Sequence, residues 1–141
     1  MSDEASPRRV LIYTDGAARG NPGPAGLGAI LRDAETGTIL AELARFLGVR
    51  TNNYAEWTAV EDALREALAL GAGHVDLRMD SQLVARQISG HYRVKHPDLK
   101  PIHARVMAML AQLGSYTVGH VPRELNKEAD RLSNVAVDER R

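Results

Sequence analysis

Val10-Leu11-Ile12-Tyr13-Thr14-Asp15-Gly16 decides the fold: a short β-rich apolar run meets a carboxylate and then a glycine. Such a run reads as a strand buried on both faces, which belongs inside a sheet covered by helices. Asp15-Gly16 is a turn signal, so the strand is expected to stop there. Asp15 would then stand at the carboxyl end of a buried strand, where open α/β sheets bind ligands.

Outward from this strand, Gly20-Asn21-Pro22-Gly23-Pro24 is a turn cluster. Two strands are expected after it, over about 26–33 and 38–46, joined at Glu35-Thr36-Gly37. The clearest helix covers about 53–70. Ala55, Ala59, Ala63 and Ala67 recur every four positions, as do Val60, Leu64 and Leu68, making one apolar face. Asn52-Asn53 offer the N-cap and Gly71 the stop. Val75, Leu77 and Met79 alternate with Asp76, Arg78 and Asp80, the pattern of a strand with one wet face. Ser81 can cap a short helix to Ser89 or Gly90. A further helix is expected over about 98–112, with Ile102, Val106, Met109, Leu110 and Leu113 inward. Tyr116-Thr117-Val118 is a last strand. A final helix starts near Asn126, with Leu125, Ala129, Leu132 and Ala136 at helical spacing. The first three strands can pair as a meander; the later ones need helical crossovers and hence parallel neighbours. This is a mixed α/β pattern.

The chain has 141 residues, enough for one domain and too few for two ordinary ones. Residues 1–8 and 138–141 read as tails around a domain at 9–137. The 44% apolar and 26% charged fractions are those of a globular protein. No stretch approaches the roughly 20 apolar residues of a bilayer span, and the first nine residues carry no secretory pattern. With no cysteine there is no disulfide framework, thiolate metal site or cysteine nucleophile. A cytoplasmic protein is the simplest expectation. Eighteen basic and 18 acidic residues cancel, so contact with nucleic acid needs a local basic patch.

Asp15 and Asp80 each end a strand, and on adjacent strands their side chains would converge. A turn at Asp15-Gly16 and a helix start at Asp80-Ser81 are the structural alternatives. Glu56 lies at the N-terminal end of the buried helical face. There it can complete a capping box with Asn53, or face inward, at a cost that a cation would offset. Asp130 sits beside Ala129 at the edge of the last apolar stripe, a position common for solvated acids.

The whole chain resembles ribonuclease H, type 1. The motifs run in family order: Tyr13-Thr14-Asp15-Gly16, Gly20-Asn21-Pro22-Gly23-Pro24, Thr51-Asn52-Asn53 with Glu56, Asp80-Ser81-Gln82, and His120 with Arg123, Asn126, Ala129 and Asp130. The resemblance implies a ribonuclease H-like fold: a five-stranded mixed sheet, central strand at 9–15, flanked by helices. It implies that Asp15, Glu56, Asp80 and Asp130 are the catalytic carboxylates and hold two Mg²⁺ ions, with Mn²⁺ as the substitute. Oxygen ligands of this kind suit both cations. Cleavage of the RNA strand of an RNA/DNA hybrid would leave 5′-phosphate and 3′-hydroxyl ends. His120, expected in a loop, matches an auxiliary proton-transfer histidine. Ala18 and Asn21 match contacts to the RNA strand, Asn52, Asn53 and Gln82 match minor-groove contacts, and Thr51 matches a phosphate-pocket residue for DNA.

The sequence departs from the pattern twice. An arginine that some members carry two positions before Thr51 is Val49 here, with Arg50 adjacent as its substitute. The long basic protrusion of some members is reduced to Gly90–Pro101 without tryptophan. From Arg86 to Arg105 there are still five Arg or Lys, one Asp, and His91, His96 and His103, either a phosphate handle or an ordinary solvated loop. Trp57 is expected to be buried and Tyr92 exposed. The partner implied is a hybrid duplex, with no membrane, no obligate protein partner and a monomeric chain. Two readings compete with this one: a hybrid-binding module without catalysis, and a nuclease of the same fold acting on duplex RNA.

Overall fold

The computed structural model describes residues 8–140. Strands β1 (Arg8–Ala18), β2 (Gly23–Asp33) and β3 (Ile39–Arg50) form an antiparallel meander. Helix α1 (Asn52–Ala69) then crosses to β4 (Ala72–Met79), which lies parallel to β1 on its free side. Helices α2 (Gln82–Ile88) and α3 (Lys100–Ala111) lead to β5 (Ser115–His120), parallel to β4. A 3-10 turn at Arg123–Leu125 precedes α4 (Lys127–Glu139). The sheet order is β3-β2-β1-β4-β5, so the Val10–Thr14 run lies in the central strand.

The core lies between one sheet face and α1, α2 and α3. Val10, Ile12, Leu31, Val75 and Leu77 meet Val60, Leu64, Trp57, Val84, Ile102 and Val106 there. Each fully buried branched side chain of this kind contributes about 1.5–3 kcal/mol relative to exposure. Ala55, Ala59, Ala63 and Ala67 are completely buried, as their spacing requires. Trp57, Thr58 and Glu61 are buried as well, because α3 covers the helix on its outer side. Trp57 is fully buried; its indole N–H donates to Gln87 Oε1 at 3.0 Å, and its ring meets His103 edge-on.

Several local expectations are corrected. The first strand does not stop at Asp15-Gly16. It runs on to Ala18, because β2 pairs with it from Asp33 back to Ala25 and satisfies its backbone groups. Gly23-Pro24 therefore belong to β2 rather than to a turn, and β3 likewise extends to Arg50. The N-cap of α1 is Thr51, whose hydroxyl accepts from the Tyr54 N–H at 3.1 Å, so Asn53 and Glu56 form no capping box. His120 is not in a loop. It is the last residue of β5, opposite Met79, since the parallel ladder continues to that point. Leu125 is exposed, because the 3-10 turn places it outside the stripe that Ala129, Leu132 and Ala136 bury. At the ends, Arg8 already belongs to β1, and Asp138 and Glu139 belong to α4; residues 1–7 and Arg141 lie outside the described residues.

Glycines of β1 and β2 set the helix positions. A Cβ on Gly16 would sit inside the backbone of Ala55 and Glu56, so its absence lets α1 close on β1. A Cβ on Gly28 would meet the Ala129 carbonyl and the Ser133 amide, so its absence seats α4 against β2 on the other face. Gly28→Ala should cost about 1–3 kcal/mol by forcing α4 off the sheet. Urea unfolding measures this. A midpoint equal to wild type would show that α4 yields without strain.

Candidate active site

Those close approaches bring four carboxylates to one end of the sheet. Asp15 lies within β1, paired with Gly28, and is 7% exposed. Glu56 enters from the start of α1. Asp80 follows β4 directly. Oxygens of Asp15, Glu56 and Asp80 all lie within 4.8 Å of one another. Asp130, in the first turn of α4, lies close enough to Asp15 to raise the pKa of its carboxyl. Its own helix turn is closed by Asp130 N–H donating to the Asn126 carbonyl at 3.0 Å.

The carboxylates are held from behind. Buried Asn126 donates from Nδ2 to the Thr14 carbonyl at 2.9 Å, tying the start of α4 to β1 one residue before Asp15. Ser133, fully buried, donates its O–H to the Asp130 carbonyl at 2.8 Å, and its Oγ lies 3.3 Å from Asp15 Oδ2. Asn134 Nδ2 donates to the same carbonyl at 2.9 Å. These supports were not assigned from sequence, although Ser133 lies three residues after Asp130 and so shares its helix face. Ser81, read only as a cap, does cap α2 and also lies beside Glu56, whose carboxyl it helps hold down.

Crowded acids resist ionisation. Burial pushes Asp15 up to about 8, and the charges of Asp80, Asp130 and Glu56 add to it. Burial pushes Glu56 up to about 7; neighbouring Ser81 opposes the rise and the charge of Asp80 reinforces it. Glu56 Oε2 is moreover buried without any hydrogen-bond partner. An orphaned carboxylate oxygen among acids on an all-oxygen donor set fits a hard divalent cation.

The remaining sequence candidates fall on two sides of this cluster. Asn21, Arg50, Thr51, Asn52, Asn53, Glu56, Ser81 and His96 are among the residues lining a groove of about 620 Å³. Asn52 Oδ1 accepts from the Ala18 N–H at 2.7 Å, and Asn21 Oδ1 accepts from the Asn52 N–H at 3.1 Å across a cis Asn21–Pro22 bond. Arg50 lies 4.6 Å over the Tyr54 ring. Gln82 and His120 lie on the other side and line a second groove with Arg86 and His91. The structure does not bring His120 into the three-carboxylate group.

Residues 13–136 match the family described as reverse transcriptase-like. The bifunctional protein Rv2228c of Mycobacterium tuberculosis is 44% identical over 130 residues, 92% of this chain. This chain spans only 36% of that protein's length. The N-terminal RNase H domain of Rv2228c, solved as a fusion with maltose-binding protein, superposes with a TM-score of 0.90, covering 92% of this chain and 99% of that one at 44% identity. The ribonuclease H of Polaromonas naphthalenivorans is 35% identical over 163 residues, 98% of this chain and 96% of its own. LC11-RNase H1, solved in complex with an RNA/DNA hybrid, gives a TM-score of 0.87 at 41% identity, covering 93% of this chain and 98% of that one. The sheet order, the converging acids and relatives matched over nearly their full length lead to one assignment: this chain belongs to the ribonuclease H family.

Proposed function

We propose that residues 9–137 form a nuclease domain that hydrolyses the RNA strand of RNA/DNA hybrids, leaving 5′-phosphate and 3′-hydroxyl ends. The observation that carries this reading is the set of Asp15, Glu56 and Asp80 oxygens within 4.8 Å, one of them buried and unpartnered. Family membership implies a divalent metal, and the hard oxygen donors favour Mg²⁺, with Mn²⁺ as substitute. Asp15, Glu56, Asp80 and Asp130 would hold two such ions. When bound, they would lower the pKa of a water and offset charge on the departing 3′ oxygen.

The chain's own residues do the rest. Asn126 ties the start of α4 to β1 and Ser133 lies beside Asp15, which would hold these acids in place. Asn52 spends its Oδ1 on Ala18, which leaves its Nδ2 donors for the groove. Asn21, Asn53 and Gln82 supply further amides, suited to the 2′-hydroxyls and base edges of a wide, shallow minor groove. Thr51 accepts with its hydroxyl to cap α1 and keeps its own O–H to donate to a phosphate, with Arg50 beside it. His120, exposed at the end of β5, would be the auxiliary residue for proton transfer. LC11-RNase H1 was solved with a hybrid, which supports the same ligand here.

The test is an end-labelled hybrid in Mg²⁺, with chelator, duplex RNA, duplex DNA and single-stranded RNA alongside. Cleavage confined to the RNA strand of the hybrid, and lost in chelator, is expected. Binding without cleavage in either Mg²⁺ or Mn²⁺ would favour a non-catalytic module, and cleavage of duplex RNA would redirect the substrate assignment.

A further inference from the structure

Six arginines are offset by acids in ion pairs. Arg19 pairs with Asp138, Arg32 with Glu128, Arg45 with Asp62, Arg65 and Arg105 with Glu61, and Arg131 with Glu42. Arg50, Arg78 and Arg86 differ: among the described residues none of the three forms a salt bridge, and each lies over a tyrosine ring. Of these, Arg50 and Arg86 line grooves beside the carboxylates. Arg50 stands at the end of edge strand β3. The groove of Arg86 lies along β5, the opposite edge of the sheet.

The groove between α2 and β5 is lined by Gln82, Ala85, Arg86, Ser89, His91, Val118 and His120, with no carboxylate among them. Its upper end adjoins the acids, because His120 pairs with Met79, the residue before Asp80. Arg86 is held in place. Its guanidinium lies 5.5 Å from the Tyr92 ring centre, and Nη1 donates to the Tyr92 hydroxyl at 3.0 Å. The backbone that carries Tyr92 is tied to α2, since the His91 and Tyr92 N–H groups both donate to the Arg86 carbonyl, at 2.9 and 3.2 Å. A guanidinium has five donors in a rigid fork, so this arrangement leaves most of them for an anion with several oxygens. A cation on an aromatic face keeps its full outward field, whereas the acid of an ion pair offsets it.

We propose that the α2–β5 groove is a phosphate clamp. Arg86, with His91 beside it, takes a backbone phosphate of the hybrid beyond the stretch that reaches the carboxylates. It works on the flank opposite Arg50, so the duplex is held on both sides of the cut. The clamp rests on the hybrid reading above. It helps a neutral chain grip a polyanion: Arg50 and Arg86 sit where the duplex would pass, with no acid paired to either.

The test is hybrid binding by fluorescence anisotropy, in chelator to prevent cleavage, across a series of salt concentrations, together with steady-state cleavage in Mg²⁺. Wild type, Arg86→Gln, Arg86→Lys and a control, Arg45→Gln, are compared. Loss of one phosphate contact lowers the slope of log affinity against log salt by about one. Arg86→Gln should show that drop, bind about fivefold more weakly near physiological salt, and raise KM more than it lowers kcat. Arg86→Lys should recover most of the slope, since it restores a point charge. A wild-type slope in Arg86→Gln, or an equal drop in Arg45→Gln, overturns the clamp. Wild-type protein that binds and cuts the hybrid in those same cases leaves the hybrid reading intact. Wild-type protein that neither binds nor cuts it removes both.

Discussion

Asp15→Asn should slow hybrid cleavage by about three orders of magnitude, a barrier increase of about 4 kcal/mol, while hybrid binding stays near wild type. The amide keeps the volume of the carboxyl and removes the charge that Asp80, Asp130 and Glu56 surround. Affinity for cations falls steeply with each charge taken from a hard oxygen site. The grooves that would hold the duplex are lined by other residues, so binding survives. Asp80→Asn should behave in the same way. Single-turnover cleavage and anisotropy, run side by side, separate the two effects. If either variant cuts at near the wild-type rate, the carboxylates are not the catalytic set. If binding falls as far as cleavage, the acids serve the fold rather than the chemistry.

The second large effect concerns the protein without metal. Its stability in chelator should fall as pH rises from about 4 to about 8, and Asp15→Asn should remove much of that fall. The sign follows from the raised pKa values. In the unfolded chain Asp and Glu ionise near their ordinary values of about 4. In the folded protein Asp15 keeps its proton to about 8 and Glu56 to about 7. Between those limits the folded state binds more protons than the unfolded state, so stability declines with rising pH. Below about pH 4 both states are protonated and nothing is lost. A shift of one unit is worth about 1.4 kcal/mol, so even a heavily discounted Asp15 is on the order of 3 kcal/mol. For a chain of this size that is roughly 6–12 °C in Tm. Asp15→Asn should therefore melt above wild type at pH 8.5 in chelator and close to it at pH 4.5. A saturating divalent cation should raise the wild-type Tm and have far less effect on the variant, by mass action on the folded state. Equal melting of the two proteins at pH 8.5 in chelator would mean that the acids do not strain one another.

The sheet was legible early because its determinants are local. The Val10–Thr14 run, the alternation from Val75 to Met79 and the four-residue recurrence of alanine in α1 each follow from side-chain period, which sequence displays directly. The meander and the parallel crossovers followed from connection lengths. Ser81 as a cap and the burial of Trp57 were legible for similar reasons. Strand and helix ends were less so. Asp15-Gly16 looks like a turn until β2 is known to pair past it, and Thr51 displaces Asn53 as cap once β3 delivers the chain to α1.

By its residues, the sequence determined which acids were available and on which elements they ride: Asp15 on β1, Glu56 on α1, Asp80 after β4 and Asp130 on α4. It also fixed two features whose purpose it did not reveal, the missing Cβ atoms of Gly16 and Gly28. Only the tertiary structure decided that α1 and α4 close on the sheet at those two points. That closure brings Asp15, Glu56 and Asp80 within 4.8 Å and leaves Glu56 Oε2 buried without a partner. The separation of Arg50 and Arg86 from the ion-paired arginines was also decided there. The reason is the same for both. Periodicity acts over a few residues, whereas Coulomb interaction and desolvation act through space, between groups that the chain places far apart.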